Sequence, residues 1–232
     1  MSRQVAVVTG ARGVVGQAIV ARLVDEGYAV VAHSRGAVLD LPAGVVSLTG
    51  DLAHPEAAER VRESVERVDL LVNNAASQVT GTLDELTGSE WAEMLGATFL
   101  SAVHLTTALR PAMAAGTSVV NVSSIEAQSA FPRHAHYAAA KAALESFTRS
   151  SALEWAPAGI RINAVAPGLV DRPGLADDWP EGWSWWQQTC PLGRPILPAE
   201  VADAVAFLAG AGGVSGVVLP VDGGWSASAR LG

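Results

Sequence analysis

The chain holds a single lysine, Lys141, and two tyrosines, Tyr28 and Tyr137, and the lysine follows the second tyrosine by four residues. Random placement would produce this spacing roughly once in a hundred such chains. On a helix, positions i and i+4 share a face, so the phenol and the ammonium are set side by side. Of the 15 lysine and arginine residues, only this one is lysine. A compact ammonium suits a site beside a phenol, where a broad planar guanidinium does not. A free phenol titrates near about 10 and exchanges protons poorly at neutral pH. A neighbouring cation stabilises the phenolate and is expected to lower that value. Tyr137 can then pass a proton to or from a substrate oxygen. Ser124, thirteen residues upstream, offers a hydroxyl that could hold the same oxygen and stabilise its developing charge.

A second set of residues suits phosphate. Thr9-Gly10-Ala11-Arg12-Gly13-Val14-Val15-Gly16 lies between an apolar run and a helical pattern. Glycines there permit a tight turn and close backbone approach, and the following helix N-terminus attracts a pyrophosphate. The next apolar run ends His33-Ser34-Arg35. A carboxylate that would bind the ribose 2′-hydroxyl of NAD is missing there. Arg35, with Arg12, could clamp a 2′-phosphate instead, which points to NADP(H). Both arginines as plain surface charges is the competing reading.

These groups need a scaffold, and the pattern supplies one. Short apolar runs alternate with helical stretches, the mark of a mostly parallel sheet with helices on both faces. Strands are expected at 5–9, 28–33, 45–48, 70–72, 118–122, 160–165 and 217–221, seven in all. Helices are expected at 14–26, 55–67, from the Thr87–Glu90 capping box to about Arg110, at 136–155 and at 199–209. Glu63 and Arg67 would pair at i,i+4 within the second of these. Segment 36–44 is too short for a standard crossover helix. Segment 171–197, rich in Pro, Gly, Asp and Trp, reads as a lid within a single domain spanning 1–232. The architecture expected is α/β, Rossmann-like and doubly wound.

Composition narrows the function. The formal charge of −8 argues against nucleic acid. The start carries no signal-peptide pattern and no apolar run reaches the roughly 20 residues of a membrane span, so a cytoplasmic enzyme acting away from membranes is expected. Cys190 is the only cysteine, which excludes an internal disulfide. The five histidines form no ligand pattern; His134 and His136 flank Tyr137 without a matching carboxylate or cysteine cluster, and no metal is expected.

The ordered motifs resemble those of the short-chain dehydrogenase/reductase family over nearly the whole chain. They are the glycine turn, Asp51-Leu52, Asn73-Asn74-Ala75, Asn121-Val122-Ser123-Ser124, Tyr137-Ala138-Ala139-Ala140-Lys141, Asn163 to Gly168, and Val221-Asp222-Gly223-Gly224. The resemblance implies an oxidoreductase with Ser124, Tyr137 and Lys141 as catalytic set. It also implies that Lys141 and Tyr137 hold the nicotinamide ribose. Gly10, Arg12, Gly13, Val15, Gly16, Ser34, Arg35, Asp51, Leu52, Asn74, Ala75, Pro167, Gly168 and Val170 would line the rest of the cofactor site. A homodimer or homotetramer through the two long helices is implied too, with Ala97, Ala102, Ala142 and Ala143 as small faces.

Three positions depart from the family pattern. Thr98 stands where the family has a helix asparagine that supports a relay water, and Thr98 is therefore a further catalytic candidate. Val14 stands where compact members show glycine. Arg172 replaces a threonine that touches the nicotinamide, and could meet a cofactor phosphate or an anionic substrate.

Four of the seven tryptophans fall within 179–186. They suit either an aromatic substrate pocket or a lid docked on its own core or a neighbouring subunit. Trp179, Trp183, Trp186, Glu126, Ser124 and Tyr137 are the candidate substrate contacts, with Ser77, Gln78 and Gln128 nearby. The residues fit an NADPH-dependent reductase of ketones or aldehydes, a reductase of C=N bonds in pteridines or dihydrofolate, or a non-catalytic NADP sensor. A sensor would need the glycine turn but not the proton donor.

Overall fold

The computed structural model describes residues 3–37 and 41–228. Seven strands form one sheet: β1 (Val5–Thr9), β2 (Ala29–Ser34), β3 (Val46–Thr49), β4 (Val68–Asn73), β5 (Met113–Val122), β6 (Arg161–Pro167) and β7 (Val218–Val221). Their spatial order is β3-β2-β1-β4-β5-β6-β7. Every neighbouring pair is parallel, so the sheet is wholly rather than mostly parallel. The chain winds outward from β1 to β3, then returns to the other side of β1 with β4. That reversal opens a crevice at the carboxyl ends of β1 and β4, where such sheets bind ligands.

Side-chain alternation along the strands builds a core on each face. Ala6 and Val8 of β1 face α1 (Val14–Asp25) and α8 (Pro198–Gly210), packing with Ile19, Leu23, Val201 and Val205. Val7 faces the other way, toward α2 (Pro55–Glu63), α4 (Ser101–Leu109) and α5 (Ala135–Trp155), among Val61, Leu105, Leu109 and Ala152.

The long helix after Thr87 is not continuous. The Thr87–Glu90 capping box starts α3 (Gly88–Leu95), a π-helical turn follows at Gly96–Leu100, and α4 resumes at Ser101. The lid is helical, against the expectation of a loop: α6 (Leu175–Asp178) and α7 (Pro180–Thr189) fill it. Pro180 at the first position of α7 explains the clean start. Helix α2 ends at Glu63, so Arg67 lies outside it and pairs with Asp69 at 2.7 Å rather than with Glu63 at helical spacing. The β2–β3 crossover carries no helix in its described parts, and residues 38–40 lie outside the described residues. No helix among the described residues is long and apolar enough to cross a membrane.

Candidate active site

A cleft of about 920 Å³ runs from the glycine turn to the lid. At one end, Gly10 adopts φ 66°, and a side chain at Gly16 would collide with the Gly10 carbonyl. Only glycine tolerates both demands. Thr9 Oγ1 accepts the backbone N–H groups of Asn74 and Ala75 at 2.9 and 3.0 Å, and Asn74 Nδ2 donates to the carbonyls of Thr9 and Gly10. Asn74 therefore locks the turn as well as lining the cleft. Helix α1 starts from Gly13 with no capping side chain and no acidic residue in its first turn. Its N–H groups are thus left for an anion. A Cβ at Gly13 would meet only the Gly10 carbonyl, at 3.6 Å, so the space above the turn is open.

Val15, Asp51, Leu52, Pro167, Gly168 and Val170 also line the cleft, as do Arg12, Ser34 and Arg35. The Ser34 hydroxyl donates to the Gly36 carbonyl, and Arg12 Nη1 lies 3.4 Å from where a Gly36 side chain would begin. No ion pair involves Arg12 or Arg35 among the described residues. Just behind them His33 is buried with neither ring nitrogen bonded. Burial, then the charge of Arg60, pulls it down to about 4, so it is neutral.

At the other end Ser124, Tyr137 and Lys141 converge. Helix α5 places Lys141 Nζ 5.6 Å from the Tyr137 ring centre, while Nζ donates to the Val122 carbonyl at 2.6 Å. Burial lowers Lys141 to about 8. Tyr137 differs from the sequence expectation. Burial, then the Glu126 carboxylate, pushes its phenol above the ordinary range, opposed by a hydrogen bond with Ser124. A bonded network fixes this end. Ser123 Oγ and Gln128 Nε2 both donate to the buried Glu145 carboxylate at 3.0 Å. Glu145 sits one turn beyond Lys141 on α5 and was invisible to motif reasoning, although the i,i+4 step was the available signal. Gln128, so engaged, does not line the cleft, whereas Ser77, Gln78 and Glu126 do.

The lid closes one wall. Trp186 is 1% exposed, stacks on Trp225 at 6.0 Å and 14°, and donates its indole N–H to the Arg194 carbonyl. It lies so close to Gly168 that a Cβ there would be 2.5 Å from its ring. The lid therefore docks on its own core, and it also presents Trp179 and Trp185 to the cleft. Trp183 does not line the cleft, contrary to the sequence expectation. Trp185 takes that place, set edge-on to Phe131.

A family model described as enoyl-(acyl carrier protein) reductase matches residues 10–226. An uncharacterised short-chain type dehydrogenase/reductase of Sinorhizobium fredii is 36% identical over 96% of the chain, which spans 43% of that relative. The cis-4-hydroxycyclohexanecarboxylate dehydrogenase of Sinomonas cyclohexanicum is 35% identical, covering 97% of this chain and 98% of the relative. The chain belongs to the short-chain dehydrogenase/reductase family. Among solved structures, the ligand-free aldohexose dehydrogenase of Thermoplasma acidophilum superposes with TM-score 0.92 and 30% identity, over 99% of this chain and 96% of that one.

Short-chain dehydrogenase/reductases are oxidoreductases that use a nicotinamide dinucleotide, and the open glycine turn and uncapped helix fit its pyrophosphate. Thr98 is fully buried and does not itself line the cleft. Its Oγ1 accepts the Ser77 N–H at 3.1 Å and donates to Met94 Sδ. Thr98 lies within the π-helical turn, and its bond to Ser77 ties that turn to the segment after β4. Arg172 lines the cleft but is held by Asp178 at 2.5 Å, so its charge is already matched.

Proposed function

We propose that the chain is an NADPH-dependent reductase that transfers hydride to the carbonyl of a small or medium-sized ketone or aldehyde, with Tyr137 as proton donor. The observation that carries the reading is the convergence of Ser124, Tyr137 and the only lysine in one cleft continuous with the glycine turn. Ser124 holds the carbonyl oxygen and orients it. A bound nicotinamide dinucleotide supplies the hydride. Tyr137 gives its proton to the oxygen as negative charge develops there. A phenol held above its ordinary range stays protonated at neutral pH, so the proton is present, but its release is costlier than from a free phenol. Lys141 limits the cost of the phenolate that remains.

Preference for NADPH over NADH rests on Arg12 and Arg35 with Ser34 in place of a carboxylate. The roles of the remaining cleft residues follow the same scheme: Gly10, Gly13, Val15, Gly16, Asp51, Leu52, Asn74, Ala75, Pro167, Gly168 and Val170 around the cofactor, and Trp179, Trp185 and Trp186 around the substrate. A single cytoplasmic domain assembled as a homodimer or homotetramer completes the proposal.

The test is NADPH oxidation against a panel of ketones, aldehydes, a dihydropterin and an enoyl thioester. Carbonyl turnover is expected, with Tyr137→Phe losing it while still binding NADPH. Turnover confined to the pterin or the thioester, or undiminished in Tyr137→Phe, would overturn the assignment.

A further inference from the structure

Two polar side chains in the cleft carry no proton in the transfer above, although one of them, Glu126, acts on the Tyr137 phenol through its charge. Glu126 follows Ser124 by two residues and His134 precedes Tyr137 by three, and both line the cleft. His134 Nδ1 lies 2.6 Å from Glu126 Oε2, and the Glu126 side chain is 16% exposed. The segment carrying His134 is held in an unfavourable backbone shape. Arg133 has φ 66°, the one non-glycine residue with positive φ among the described residues. Such strain persists where the surroundings enforce it, and it gathers at functional sites. Here the Arg133 carbonyl accepts the Gly81 N–H at 3.0 Å and its guanidinium pairs with Glu85 at 3.4 Å. Both ends of the strained residue are thus tied down, and the next residue is set against Glu126.

The chemistry of the pair is specific. A carboxylate only accepts hydrogen bonds. Oε2 is taken by His134, and no protein donor among the described residues reaches Oε1. The hydrogen bond to Glu126 holds the His134 imidazole above its ordinary range, opposed by burial. Oε1 is thus an open acceptor that a substrate hydroxyl can fill, and His134 stands edge-on to the Tyr137 ring with centres 6.0 Å apart, which sets the pair beside the reacting position. The other cations of this part of the cleft are engaged, Arg172 by Asp178 and Lys141 by the Val122 carbonyl.

We propose that Glu126 and His134 form a hydroxyl-recognition subsite, selecting substrates that bear a hydroxyl on the carbon next to the reacting carbonyl. The substrate class is α-hydroxyketones and, in the reverse direction, vicinal diols. The proposal rests on the carbonyl-reductase reading of the same cleft.

The test compares kcat/KM for 2-hydroxycyclohexanone and cyclohexanone with NADPH. The natural protein should prefer the hydroxyketone by about tenfold or more, since a site built to bond a hydroxyl discriminates against its absence. Glu126→Leu should bring the ratio to within about threefold of unity, and His134→Asn should reduce it. Glu126→Gln, nearly isosteric, guards against misfolding and should also lower the ratio. A ratio near unity in the natural protein, or one unchanged in Glu126→Leu, overturns the subsite. Calorimetry of cis-1,2-cyclohexanediol against cyclohexanol decides the matter independently of turnover: tighter diol binding that Glu126→Leu abolishes supports the subsite, and equal binding overturns it. Turnover of neither ketone with preserved diol selectivity would sink the reductase reading alone.

Discussion

Lys141→Met removes the only ammonium side chain and leaves a linear side chain of similar length. In the native protein Nζ stands 5.6 Å from the centre of the Tyr137 ring. At an effective dielectric of about 20, a unit charge at that distance stabilises the phenolate by about 3 kcal/mol, roughly a hundredfold in the phenolate fraction. Burial and Glu126 already push the phenol up, and in the variant only the Ser124 hydrogen bond is left to oppose them. The assay is alcohol oxidation with NADP+, followed as kcat/KM from pH 6 to 10. Oxidation needs the phenolate, so its activity rises with pH. In Lys141→Met that rise should move up by about two pH units, with activity near pH 7 falling about a hundredfold. The gap should narrow above pH 8, because Lys141 itself titrates at about 8 and its charge is lost there in the native protein. A thermal melt checks that the variant is folded. A folded Lys141→Met with the native profile and rates within threefold would refute the electrostatic role.

Two further outcomes follow from the cleft. Replacing Arg12 and Arg35 together by serine should raise the KM for NADPH by about 10- to 100-fold, leave that for NADH little changed, and flatten the salt dependence of NADPH binding; parallel changes for both cofactors would contradict 2′-phosphate recognition. Gly168→Ala should force Trp186 from its place and cost about 1–3 kcal/mol, seen as a melting temperature lower by roughly 2–10 °C, together with a higher substrate KM. An unshifted melt would mean that the lid yields freely.

Much of this was legible in sequence because the responsible forces are local. Buried parallel strands read as apolar runs, and Tyr137 and Lys141 share a face through helical period alone. What failed depended on tertiary partners. Strand β5 starts at Met113, five residues before its apolar run, because Met113 pairs with Val68 across the sheet through small residues that carry no apolar signal. The π-helical turn contains Thr98, whose bond to the Ser77 N–H comes from a distant segment. The lid's Trp, Gly and Pro residues have poor helix propensity, and contacts with Phe131 and Trp225 override it. With a loop expected, nothing specified which tryptophan faced the cleft, so Trp183 stood where Trp185 belongs. The Glu126–His134 pair joins residues eight apart through a strained turn, which no propensity encodes.

The aromatic stack under the lid has an optical consequence. Trp186 and Trp225 lie nearly parallel with ring centres 6.0 Å apart, and Trp185 leans on both. Indoles so near one another share their electronic excitation, which produces a paired band in circular dichroism that isolated rings lack. The protein thus carries a built-in spectroscopic gauge of lid docking, readable without any label or reaction.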